Sequence, residues 1–207
     1  MRIVRNRLIA DEGSAVPYRR SPNQSPGIDP AYVVMHYTAG ASAESSIDWL
    51  TNPAARASAH LVVARDGSVT QLVAFDRQAW HAGHSKWRDL EGLNAHAFGI
   101  ELDNGGPLER RLDGAWYTPF GTVVAEDDVV EAPHRNGGPV RGWHAYSTEQ
   151  LLAAAEVANL LVHHFDLLDV IGHDDIARGR KLDPGPAFPM RTFRARVLGP
   201  RRRIRVE

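Results

Sequence analysis

Tyr32-Val33-Val34-Met35-His36-Tyr37-Thr38 is the stretch on which the fold turns. Its β-branched and aromatic residues suit a pleated surface. Pro30 before it and Ala39-Gly40 after it mark its ends, so it reads as a short buried strand closed by a histidine. Just downstream, Ser42 to Leu50 reads as a short helix, with Ser42 as cap, Glu44 in the first turn, Ile47 and Leu50 on one face, and Pro53 as the stop. His60-Leu61-Val62-Val63-Ala64 and Val69-Thr70-Gln71-Leu72-Val73 flank Arg65-Asp66-Gly67-Ser68, the pattern of a β-hairpin. Phe98-Gly99-Ile100-Glu101-Leu102 reads as another buried strand, with one carboxylate among apolar residues. Ser147 to Phe165 reads as a long helix capped at Ser147 or Thr148, with an apolar stripe of Leu151, Leu152, Ala155, Val162 and Phe165. Val170-Ile171-Gly172 is a last short strand that delivers His173. Interleaved strands and helices predict a single α/β domain, a mixed central sheet flanked by helices.

The ends and one internal region fit this pattern less well. Gly13, Pro17, Pro22, Pro26, Gly27 and Pro30 mark residues 1–30 as an irregular N-terminal arm. Residues 31–190 then form the body. Within it, residues 105–145 lose periodicity and read as an insertion, where Trp116, Tyr117, Phe120 and Trp143 argue for partial order and for a wall of a cleft. Residues 191–207 read as a basic C-terminal tail ending in Arg201-Arg202-Arg203-Ile204-Arg205.

The 207 residues carry a formal net charge of −1, 43% apolar and 24% charged side chains, and no cysteine. That composition suits a globular core and gives no overall attraction for nucleic acid or an anionic membrane. Without cysteine there is no disulfide framework, and any metal must be held by histidines and carboxylates. No apolar run has the length of a membrane span, and Met1 to Ala10 lacks the apolar core of a secretory signal. The expectation is a cytoplasmic product, or one released by lysis or exported by a non-classical route.

The chemistry concentrates in His173-Asp174-Asp175-Ile176-Ala177-Arg178-Gly179-Arg180-Lys181-Leu182-Asp183-Pro184-Gly185-Pro186. This segment is rich in Gly and Pro and reads as a loop able to aim several side chains at one point. His173 and Asp183 are ligands that zinc accepts, and an open catalytic zinc site needs a third. His36, where a sheet hands over to a loop, is the candidate. Of the other histidines, His84, His134, His144, His163 and His164 read as surface residues, His60 as packed within the hairpin, and His96 as lying near the start of the Glu101 strand.

Taken together, Val-Val-Met-His36-Tyr-Thr, Ser58-Ala59-His60-Leu61-Val62-Val63 before Arg65-Asp66-Gly67, Trp80-His81-Ala82-Gly83, Gly99-Ile100-Glu101-Leu102-Asp103-Asn104, and Gly172-His173 through Pro186 resemble the zinc-dependent N-acetylmuramoyl-L-alanine amidases. That family includes AmpD-type enzymes, phage lysozyme-type amidases and peptidoglycan recognition proteins. The resemblance implies a Zn2+ site of His36, His173 and Asp183 in an open cleft at one edge of the sheet. It also implies Glu101 as general base and Lys181 as the cation near the reacting carbonyl. His81 and Asn104 are implied near the cleft as contacts to sugar or peptide. The implied reaction is hydrolysis of the amide between the lactyl group of N-acetylmuramic acid and L-alanine, in peptidoglycan or anhydro-muropeptides. The alternative is a non-catalytic peptidoglycan-binding module with a structural zinc. Ala59 departs from the pattern, since some phage-type members have tyrosine there, which leaves the proton traffic to Glu101. Oligomeric state is not legible.

Overall fold

The computed structural model describes residues 1–199. At its centre lies a five-stranded sheet in the order Asp169–Gly172, Tyr32–Tyr37, Ala97–Leu102, Leu61–Val63 and Val69–Gln71. The first four strands are parallel neighbours, and the last returns antiparallel as the second arm of the Asp66-Gly67 hairpin. The sheet is therefore mixed, as the interleaved pattern predicts.

Alternation along the strands decides which layer each residue joins. Val33, Met35, Phe98, Ile100 and Leu102 point into one core with Ala154, Ala158 and Leu161 of helix α2 (Thr148–Phe165) and with Phe193 and Val197 of helix α4 (Met190–Leu198). Tyr32, Val34 and Ala97 face the other way, toward Ile171, Ile176 and Ala177. Helix α1 (Ala43–Leu50) covers the hairpin end of that second face through Ile47 and Leu50. His36 and Glu101 follow Val34 and Gly99 by two residues, so both emerge on this second face at the carboxyl ends of parallel strands, where ligands of α/β sheets bind. The register places them directly opposite one another.

Local signals hold up where they rest on caps and turns. Ser42 and Ser147 cap their helices as expected. The Ser147 hydroxyl also donates to the Arg65 carbonyl, and Gln150, wholly buried, donates to the carbonyls of Val63 and Asp103, tying α2 to two strand ends. Leu152, placed in the apolar stripe, is 43% exposed, because the buried face of α2 is carried by alanines that let the helix approach the sheet closely.

The outer segments are more ordered than their composition suggests. Residues 1–30 are not an irregular arm throughout: Arg2–Val4 and Arg7–Ile9 form a hairpin that buries Leu8, and Gln24–Pro26 pairs with Arg77–Ala79. Asn6 and Arg5 make that tight turn with positive φ, which no Gly or Pro advertises. Residues 191–198 are not tail but most of α4, whose Phe193 and Val197, one helical turn apart, are buried among arginines. The Arg201–Arg205 run lies outside the described residues. Residues 105–145 hold two small antiparallel sheets, Glu109–Arg110 with Trp116–Tyr117 and Val123–Val124, and Val129–Pro133 with Val140–His144. No described helix is long and apolar enough to cross a membrane.

His60 packs in the hairpin, as expected, between Phe75 and Phe98. Its Nε2–H donates to the Arg77 carbonyl at 2.9 Å and its Nδ1 accepts from the Gly99 N–H at 3.1 Å, so the neutral ring is fully satisfied. Burial pushes its pKa down to about 4. A histidine depressed in the folded state binds its proton first in the unfolded chain, so its contribution is complete above the unfolded value near 6.5 and is lost as pH falls from there toward 4. Denaturant unfolding across that window is expected to show a slope containing about 1.4 kcal/mol per pH unit from this group. In His60→Asn the slope is expected to shrink by one proton, and an unchanged slope would count against a buried neutral ring.

Candidate active site

Three chain segments meet at the sheet's carboxyl rim. His36 is the penultimate residue of the Tyr32–Tyr37 strand. His173 opens helix α3 (His173–Ile176), a single turn that directly follows the Asp169–Gly172 strand, so the first residues of the segment read as a loop are helical. Asp183 returns from the loop beyond, held by its carbonyl, which accepts from the Asp174 N–H at 2.7 Å. His36 Nδ1 lies 3.0 Å from His173 Nδ1 and 2.9 Å from Asp183 Oδ2, and His173 Nδ1 lies 2.8 Å from the same oxygen. All three side chains are buried.

Hydrogen bonding behind these rings decides what the three atoms are. The Ala97 carbonyl can only accept, so His81 Nε2, at 3.0 Å from it, carries the proton and His81 Nδ1 is an acceptor. His36 Nε2, 3.0 Å from that nitrogen, must then carry its own proton, which leaves a lone pair on His36 Nδ1. His173 Nε2 makes a longer hydrogen bond of 3.4 Å to the Ala82 carbonyl and leaves its Nδ1 bare in the same way. Burial first, and the neighbouring His173 second, push the His36 pKa down to about 4, so the ring is neutral. Two imidazole lone pairs and a carboxylate oxygen pressed together would repel, and a cation at their centre resolves the conflict. The donor set fits a divalent metal with a position left open. This is the group of metal-competent side chains found among the described residues.

His81 borders the cleft, as expected. Its two ring nitrogens are held by His36 and the Ala97 carbonyl, so it also fixes the orientation of the His36 ring. The space for it comes from Gly99, where a Cβ would stand 2.5 Å from the His81 ring. Asn104 is also committed internally: it is buried, its amide donates to the His144 and Ala145 carbonyls, and its Oδ1 accepts from the Gly106 N–H. Asn104 shapes the turn after the Glu101 strand.

Glu101 and Lys181 border the same cavity as the three metal-competent residues. Glu101 Oε2 is buried with no hydrogen-bond partner. Burial, reinforced by the Asp183 charge and opposed by Lys181, raises its pKa well above the usual carboxylate range. An orphaned, buried carboxylate oxygen on a residue that borders a cleft is costly to the fold and suited to moving a proton.

The structure adds a clamp that the sequence hides. His134, Arg135 and Asn136 at the tip of the Val129–His144 hairpin seize Asp174: Arg135 Nε and Nη2 reach its two oxygens at 2.9 and 2.6 Å, His134 Nε2 lies 3.1 Å away, and Asn136 donates to its carbonyl at 3.0 Å. His134 is buried rather than a surface residue, and it also reaches the Leu182 carbonyl at 3.2 Å. Arg180 ties the loop on its other side to the Ala82 and His84 carbonyls. The only signal for the clamp was an His-Arg-Asn triplet before two glycines, which reads equally well as a polar turn.

The comparisons with known proteins agree with this geometry. Residues 26–186 match the family described as N-acetylmuramoyl-L-alanine amidase, and the chain belongs to that family. It is 32% identical over 144 residues to 1,6-anhydro-N-acetylmuramyl-L-alanine amidase AmpD of Citrobacter freundii, covering 69% of this chain and 58% of that protein. It is 35% identical over 190 residues to N-acetylmuramoyl-L-alanine amidase A of Achromobacter lyticus, covering 89% of this chain and 90% of that protein. The solved structure of AmiD from E. coli, in complex with anhydro-N-acetylmuramic acid-L-Ala-D-gamma-Glu-L-Lys, aligns with a TM-score of 0.60 and 28% identity over 84% of this chain and 59% of that one. The chain thus spans less than two thirds of the length of the AmpD relative.

Because Arg135 grips Asp174 with a planar fork, charge alone is not a substitute. Both Arg135→Ala and Arg135→Lys are expected to fold and to bind divalent metal about 10- to 100-fold more weakly, as read by competition with a chromophoric chelator. Unchanged affinity in Arg135→Ala would mean the clamp does not position the metal loop.

Proposed function

We propose that this chain is a zinc-dependent amidase that hydrolyses the bond between the lactyl group of N-acetylmuramic acid and L-alanine in muropeptides or peptidoglycan, with His36, His173 and Asp183 as the zinc ligands. The observation that carries the reading is the pairing of three converging lone pairs with an unpartnered, buried Glu101 oxygen in one cavity. A module that only binds, with zinc as a staple, would have no use for that oxygen. The names of the relatives support the muropeptide substrate, the 1,6-anhydro form included.

When bound, zinc supplies Lewis acidity, lowering the pKa of a coordinated water from about 15.7 toward 7 and polarising a carbonyl. The chain's own groups do the rest. Glu101 takes the proton of the attacking water and returns it to the amide nitrogen as the C–N bond breaks. Its raised proton affinity suits the second half of that task, when the leaving amine must be protonated. Lys181 holds a positive charge in the cleft where the carbonyl oxygen gains negative charge. His81 keeps His36 in the tautomer that presents Nδ1. Ala59 is fully buried, which places no hydroxyl at that position and leaves Glu101 as the proton carrier.

Incubation of the protein with a muropeptide, followed by mass spectrometry, is expected to show free amino sugar and free stem peptide with added zinc and neither with a chelator. Glu101→Gln is expected to keep its zinc and lose about 10²- to 10⁴-fold in turnover, whereas His173→Ala loses the metal itself. Full activity in Glu101→Gln would remove Glu101 from the mechanism, and binding of muropeptide without hydrolysis by the zinc-loaded protein would favour the non-catalytic module.

A further inference from the structure

Two cavities meet at Glu101. One, of about 370 Å³, covers the His36, His173 and Asp183 atoms and is bordered by Arg180 and Lys181. The other, of about 420 Å³, is lined by Thr38, Ser45, Ser46, Trp49, Leu50 and Phe120, with Glu101 as its ionisable group. Thr38, Ala39 and Leu50 border both, so the two are arms of one trough that joins at the carboxylate.

The arms differ in chemistry. Trp49, in the last turn of α1, is 57% exposed, and Phe120, at the turn between Trp116–Tyr117 and Val123–Val124, is 59% exposed. Large aromatic faces left open to water beside hydroxyl groups suit a ligand with apolar faces and polar edges. This arm holds no cation. In the other arm the Arg180 guanidinium is anchored by hydrogen bonds to two carbonyls, which fixes its charge beside Lys181.

A substrate cut at the junction must lay one half in each arm. Under the proposed reaction, on which this step rests, the halves are unlike. The muramoyl ring, its lactyl carboxyl tied up in the amide, is uncharged and has C–H faces framed by hydroxyl and acetamido groups. The stem peptide carries free carboxylates, which would be stranded in an arm without a cation and are paired in the other. We infer that the sugar lies against Trp49 and Phe120 and the stem peptide along Arg180 and Lys181, and that this aromatic pair sets how strongly the enzyme demands a sugar on the acyl side. Phe120 belongs to the 105–145 region, so that region contributes selectivity for the glycan half.

The test compares two substrates with the same scissile amide and tripeptide: the N-acetylmuramoyl tripeptide and a D-lactoyl tripeptide that lacks the ring. Zinc-loaded wild type is expected to prefer the sugar-bearing substrate in kcat/KM. Trp49→Ala and Phe120→Ala, both exposed positions, are expected to lose about tenfold on that substrate, chiefly through KM. Neither should change on the lactoyl tripeptide or in thermal midpoint, and Trp49→Phe and Phe120→Tyr should recover most of the loss. Equal losses on both substrates, or no loss on either, would overturn the assignment, since the arm would then serve the peptide or nothing in this reaction. If wild type cleaves neither substrate, the amidase reading itself fails and takes this inference with it, an outcome told apart by the wild-type control alone.

Discussion

Three acceptor atoms held within about 3 Å of one another are the constraint on which the rest of the site depends. Left to themselves they repel, and the surrounding structure is built to deny them relief. His81 and the Ala97 carbonyl hold one imidazole in its tautomer, and the Ala82 carbonyl holds the other. The Asp174 N–H grips the Asp183 backbone, and Arg135 grips Asp174. Each link uses one polar group to satisfy another, so the frustration is concentrated at one point, where a cation would remove it.

The region that lacked any sequence period turns out to act at both ends of the site. Its Val129–His144 hairpin braces the metal loop through His134, Arg135 and Asn136, and its neighbouring small sheet brings Phe120 to the trough. Short strands of two to five residues joined by glycine turns carry too little alternation to register as sheet, so composition described this region as an excursion when it is partly a support.

What could be read from the chain divides along a physical line. The central strands, α1, the Asp-Gly hairpin and α2 were legible because each is specified locally, by an apolar run, a cap or a turn residue. The metal-competent set was legible because its chemistry allows few residue types and the chain has no cysteine to compete. The partners of those residues were not, because a histidine bonded to another histidine looks the same in sequence as one bonded to a sugar. The internal partners of His81 and Asn104 were hidden for that reason. Burial of His134 and the helical state of residues 191–198 depend on tertiary contacts, and the arginines around Phe193 masked a two-residue apolar stripe.

The register between the Tyr32–Tyr37 and Ala97–Leu102 strands has one further consequence. Glu101 sits opposite His36 only while Ile100 and Leu102 sit in the core beneath α2. A slip of one residue would turn the carboxylate into that core and push two aliphatic side chains toward His173 and Asp183, a loss of packing and of site geometry in the same event. A misthreaded chain therefore cannot accumulate as a sound but silent protein. Whatever purges unstable conformers in the cell also purges those with Glu101 displaced, and this carboxylate is proofread by the fold that carries it.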